Sequence, residues 1–131
     1  LSSIVRSITF DCIDPLALAG FWCEATGRTV YNDGTQSEPE YLLAAPEGTG
    51  GANLLFIAVP EGKTTKNRIH LDLQPADRSR DEEVIRLLAL GATLLDDQRR
   101  PDGTGWVVLA DPEGNELCVE RSAAERASTG G

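Results

Sequence analysis

The chain has a single histidine, His70, and it stands in an alternating stretch from Arg68 to Gln74. A neutral imidazole changes charge near pH 7, so it can serve as base, metal ligand or hydrogen-bond partner. Side chains on one face of a strand recur at every second residue. That rule groups His70 with Asp72 and Gln74, and sets Ile69, Leu71 and Leu73 on the other face. Near the end of the chain it groups Glu116, Cys118 and Glu120. An imidazole working with a carboxylate or thiol can transfer a proton to or from a reacting group. His70 with Glu120 or Cys118 is therefore the candidate catalytic set. Cys118 as a nucleophile would need a lowered pKa, and the acids Glu116 and Glu120 work against that. Each residue also has a structural reading. His70 would be satisfied by Asp72, Glu116 or Glu120, Cys118 would be small apolar filler, and the glutamates would line a solvated strand face.

These residues sit in a chain that repeats itself. Residues 7–60 and 70–121 each read strand, helix, then three strands. Ser7 is followed seven residues later by Asp14, and His70 seven residues later by Asp77; Ala-Pro-Glu-Gly at 45–48 returns as Asp-Pro-Glu-Gly at 111–114. A repeat identifies symmetry mates, and here it pairs Ser7 with His70. The first strand, residues 4–12, has Ile8, Phe10 and Cys12 on an apolar face and Ser7, Thr9 and Asp11 on a polar one. Asp14-Pro15 opens a helix that runs to about Thr26, with Leu18, Phe21, Trp22 and Ala25 as its buried stripe and Gly27 as its stop. Strands are expected near 29–33, 40–45 and 52–59. In the second half Ser79 and Glu82 form a capping box, with Val84, Leu87 and Leu88 on the buried stripe. Strands follow near 93–96, 105–110 and 116–120. A polar linker, residues 60–66, separates module 4–60 from module 67–121, and 122–131 reads as a flexible tail. The fold class is α+β: two βαβββ repeats whose sheets curl around a cleft, in one domain of 131 residues.

On the polar fronts lie the candidate binding residues Ser7, Thr9, His70 and Asp72, with Cys118 and Glu120. Trp106 shares parity with Val108, as Tyr41 does with Leu43. By the repeat, Tyr41 and Trp106 occupy equivalent strand starts, where they would sandwich a planar ligand or pack at a rim. Leu55 or Ile57, depending on register, makes the face more apolar. Arg99 and Arg100 form the one basic pair that could clamp an acid.

The net charge of −9 argues against nucleic acid and anionic membrane as partners. The longest apolar run, 54–60, is far short of the ~20 residues of a membrane helix. Three cysteines without metal-type spacing suit free thiols in a reducing cytoplasm.

Three segments, Asp14-Pro-Leu-Ala-Leu-Ala-Gly-Phe-Trp22, Asn67-Arg-Ile-His-Leu-Asp-Leu73 and Asp111-Pro-Glu-Gly-Asn-Glu-Leu-Cys-Val-Glu120, resemble the vicinal oxygen chelate superfamily of glyoxalases, bleomycin-resistance proteins and extradiol dioxygenases. The closest resemblance is to the glyoxalase-like subgroup of high-GC Gram-positive bacteria. It implies four metal-ligand positions, which fall here on Ser7, Leu55 (or Ile57), His70 and Cys118. A broken set implies no metal and no other cofactor; a metal, if bound, would draw on His70, Cys118 and Glu120, with Asp72. The resemblance also implies a homodimer. The expected function is a metal-free small-molecule-binding protein of the bleomycin-resistance type, holding an apolar or aromatic compound such as a natural product or antibiotic. The alternative is a lyase, isomerase or small biosynthetic enzyme built on His70.

Overall fold

The computed structural model describes residues 2–129. The chain divides into two compact units between Lys63 and Thr64, inside the polar linker. Each unit has its own four-stranded mixed sheet.

Unit 1 runs β1 (Ser7–Cys12), α1 (Pro15–Thr26), β2 (Val30–Asn32), β3 (Glu40–Leu43) and β4 (Asn53–Ala58), with sheet order β1-β4-β3-β2. β1 and β4 are parallel, so the chain must cross over between them, and α1 lies in that connection. Asp14 caps α1 by accepting from the Ala17 amide at 3.2 Å, and Gly27 ends it in the left-handed region at φ 70°. The helix packs on β3 and β4. Leu18, Ala19, Phe21 and Trp22 are buried with Leu43, Leu54 and Phe56. Phe10 joins them, its ring 4.8 Å from that of Phe56 and 5.3 Å from that of Trp22.

Unit 2 runs β5 (Leu71–Leu73), α2 (Arg80–Leu90), β6 (Thr93–Asp97), β7 (Val107–Ala110), β8 (Glu116–Val119) and α3 (Ala123–Thr129), with sheet order β5-β8-β7-β6. The capping box forms as read: Ser79 accepts from the Glu82 amide and Glu82 from the Ser79 amide. Val84 and Leu87 of α2 are buried, as are Val107, Leu109, Leu117 and Val119 on the back of the sheet. No helix among the described residues is long and apolar enough to cross a membrane.

Three expectations change. Ile69 is 79% exposed, because it lies ahead of β5, which begins only at Leu71. Leu88 lies at the edge of the helix stripe and is exposed, not buried. The stretch read as a flexible tail holds α3; only residues 130 and 131 of it lie outside the described residues. The reason is a second capping box. The Glu125 carboxylate accepts from the Ser122 amide at 3.0 Å and Ser122 Oγ from the Glu125 amide at 3.1 Å. The same carboxylate accepts from the first amide of α2, that of Arg80, at 2.7 Å. One acid therefore satisfies orphan donors at two helix starts.

The loop from Gln98 to Gly105 returns the chain from β6 to β7. Gly105 has φ +92°, and a Cβ there would run into the Gln98 carbonyl. Arg99 pairs with Asp97 through two bonds, at 2.9 and 2.8 Å, and reaches Asp81 at 3.2 Å. Its hydrogen bonds hold the Asp97 carboxyl down at about 2, from 3.8. A depressed carboxyl adds stability above its unfolded pKa and loses it as pH falls through the folded one. The gap in Tm between the wild-type chain and Asp97→Asn should therefore be open above pH 3.8 and close toward pH 2. A gap that stays constant across that range would show that the ion pair adds nothing.

Candidate functional site

Register decides what shares a face. In unit 2, Asp72 stands opposite Cys118 on parallel strands β5 and β8, and Cys118 opposite Val108 on β7. His70, two residues before Asp72, joins this face by alternation. Its Nδ1 lies 3.2 Å from Asp72 Oδ1 and 3.8 Å from Cys118 Sγ. The His70 and Asp72 side chains are 41% and 48% exposed, while Cys118 is buried at 8%. The site thus has a wet edge and a dry floor. Trp106, two residues before Val108 on the same face, is 38% exposed, and the Arg100 guanidinium lies 5.9 Å from its ring centroid. That contact is at the outer limit of a cation–π attraction.

Burial, then the Asp72 carboxylate, with Glu120 adding, pushes the Cys118 thiol up to about 11 from 9.0. The thiol stays protonated at neutral pH, so Cys118 is no thiolate nucleophile by itself. The direction matches the reading from sequence; the leading causes, burial and Asp72, differ from the glutamates invoked there.

The other candidate acids are engaged elsewhere. Glu120 shares the parity of Cys118, but its carboxylate accepts from Arg126 of α3 at 3.1 Å. Glu116 accepts from the Asn67 amide at 3.1 Å. Among the described residues, Glu120 is outside the group that gathers around His70. Arg99, spent on Asp97 and Asp81, is unavailable as an acid clamp.

In unit 1, Thr9 stands opposite Leu55, and Asp11 opposite Ile57. Leu55 in turn faces Leu42 on β3. Leu55 therefore occupies the place that Cys118 holds in unit 2, and Thr9 that of Asp72. Leu42, not Tyr41, is the mate of Val108. Tyr41 pairs with Phe56 on the α1 side of its sheet, so it does not share the face of Ser7, Thr9, Leu55 and Ile57. The cause is a one-residue slip, which moves a side chain to the opposite face.

The family's divalent-metal positions can be tested against these residues. In unit 1 they bring a Ser7 hydroxyl and Leu55 hydrocarbon, so the usual four-donor set does not fit. Within unit 2, His70, Asp72 and Cys118 each offer a donor atom, and these atoms all lie within 4.8 Å of one another. Asp72 is the member that family positions alone do not reveal; the only sequence signal for it was its shared parity with His70.

A model of the glyoxalase-like domain family matches residues 7–120, and the chain belongs to that family, within the vicinal oxygen chelate superfamily. No curated protein matches the chain. Among solved structures, it is similar to a glyoxalase/bleomycin resistance protein/dioxygenase family enzyme from Burkholderia phytofirmans PsJN. The two share 19% identity and a TM-score of 0.66, over 89% of this chain and 97% of that one. It is similar to the fosfomycin resistance protein FosX from Listeria monocytogenes, solved as a mutant with Mn(II) and a dihydroxypropylphosphonic acid. There the identity is 16% and the TM-score 0.70, with 98% of each chain covered. FosX from Mesorhizobium loti has 13% identity and a TM-score of 0.70, over 98% of this chain and 99% of that one. At such identities the likeness is one of fold, and fold does not carry activity.

Proposed function

We propose that the front of unit 2 binds a small apolar or aromatic organic molecule. Trp106 and Val108 would supply the apolar contact, and His70 with Asp72 the polar end. One observation carries this reading: Trp106 stands 38% exposed on a sheet face that also holds a half-exposed His70–Asp72 pair. Large aromatics are favoured at binding surfaces because they add much contact at low entropy cost. Fosfomycin resistance proteins share the fold, so antibiotics and related natural products head the screen. The net charge of −9 favours cationic ones.

A second reading, a lyase or isomerase, is favoured by the His70–Asp72 contact at 3.2 Å. With Nδ1–H donated to the carboxylate, Nε2 on the far side of the ring is the basic nitrogen. The partner of His70 would then be Asp72 rather than Glu120 or Cys118.

The test is a fluorescence titration of a compound library. Trp22, 1% exposed, is the buried reference, so quenching should vanish in Trp106→Phe and the Kd should weaken by about tenfold, or ~1.4 kcal/mol. A ligand that binds Trp106→Phe as tightly as the wild-type chain would sink the reading. Turnover of the bound compound, abolished in His70→Ala, would favour the second.

A further inference from the structure

We propose that His70, Asp72 and Cys118 form a three-donor zinc site contained wholly within the second repeat. It stands on these three side chains alone and holds whether or not Trp106 takes an organic ligand.

The first support is size. Zinc bonds of about 2.0–2.3 Å in a tetrahedron set neighbouring donors roughly 3.3–3.8 Å apart. The His70 nitrogen lies 3.2 Å from the Asp72 oxygen and 3.8 Å from the Cys118 sulfur, and the whole group spans no more than 4.8 Å. The donors are also held by backbone: Asp72 and Cys118 are register partners on adjacent strands, so the sheet preorganises them.

The second support is charge. A thiolate and a carboxylate together neutralise a divalent ion, and the neutral imidazole completes the set. On binding, the S–H bond breaks, a sulfur–zinc bond forms, and the proton leaves to solvent. Three protein ligands leave one tetrahedral position for water or a ligand atom. The expectation of a metal-free face counted only the family's positions, and Asp72 changes that count.

The third support is the internal repeat. The equivalent positions in unit 1 are Ser7, Thr9 and Leu55, which cannot make such a site. The fold builds this three-point arrangement twice, but only the second copy carries strong donors, so the fold itself does not require them. Soft sulfur also sets the metal: the site should prefer zinc and cobalt(II) over manganese.

The experiment is a cobalt(II) titration of the full chain, freed of metal by a chelator. The expected result is one cobalt per chain, with the visible bands of a tetrahedral ion and a near-ultraviolet sulfur-to-cobalt charge-transfer band. Zinc should displace the cobalt and manganese should not. Cys118→Ser should lose the charge-transfer band. His70→Ala, at an exposed position that leaves folding intact, should weaken cobalt binding more than about 100-fold, beyond what loss of an outer-shell partner gives. Asp72→Asn should also weaken it, while Glu120→Gln and Trp106→Phe should match the wild-type chain. No stoichiometric cobalt overturns the proposal, as do cobalt bound without a sulfur band, displacement by manganese, and binding retained in His70→Ala. Because Trp106→Phe keeps its cobalt, failure of the organic-ligand reading and failure of the metal site are told apart.

Discussion

Arg80→Ala should destabilise the chain by about 3–5 kcal/mol, because it leaves three loop carbonyls without the charged donor they face, at about 1–3 kcal/mol each. Arg80 is 4% exposed. Its Nη1 donates to the carbonyls of Gly103, Thr104 and Gly105 at 3.3, 3.0 and 3.0 Å. Its Nε donates to Asp81 at 3.0 Å. Truncation strands three acceptors that the loop turned inward to meet one guanidinium. A cation at the first position of a helix opposes the macrodipole, and Asp81, Glu82 and Glu83 in the first turn of α2 offset this. The residue is therefore placed for the loop, not for the helix. Arg80→Lys should recover only part of the loss, because a single ammonium cannot serve the carbonyls and Asp81 in the same fork. The loop leads directly into Trp106, so the variant should also shift Trp106 emission toward that of a solvated ring. Urea unfolding followed by fluorescence reads both effects. A midpoint shift worth less than about 1 kcal/mol, with emission unchanged, would mean that water replaces the guanidinium without loss.

Trp22→Ala should cost about 3–5 kcal/mol as well, through the cavity it leaves. Trp22 is 1% exposed. Its ring meets that of Phe21 edge-on, with centroids 5.5 Å apart, and that of Phe10 at 5.3 Å. Phe10 in turn stacks on Phe56 at 4.8 Å. Four rings thus tie α1 to β1 and β4, and removing the largest takes from Phe10 and Phe21 the ring they share. The melting temperature should fall by roughly 10–20 °C. Amide exchange should rise first in α1, β1 and β4, the elements that lose the contact. Trp22→Phe, which keeps an aromatic partner for Phe10, should cost well under half as much. Equal losses for Ala and Phe would place the stabilisation in the indole N–H rather than in packing.

Much of this architecture is legible in the sequence. Asp14-Pro15 and Gly27, Ser79 with Glu82, and the stripe through Leu18, Phe21 and Trp22 are local signals. Caps and periodicity act within one turn or one strand, so the order of elements and the buried face of α1 follow from neighbours in the chain. The α3 helix was legible by the same rule, since Ser122 and Glu125 repeat the capping spacing. Its small polar composition hid it. The grouping of His70 with Asp72 is also local, a matter of strand period.

What the tertiary structure decided is which strands lie side by side, and in what register. Cys118 meets His70 across 48 positions of sequence only because β5 pairs with β8. Tyr41 left the face assigned to it because it pairs with Phe56 on the α1 side of the sheet, which makes Leu42 the repeat mate of Val108. Glu120 left the candidate set because α3 forms and brings Arg126 to it. Side-chain alternation is a property of one strand, but pairing is settled by the burial of whole faces, and no single segment of sequence contains that information.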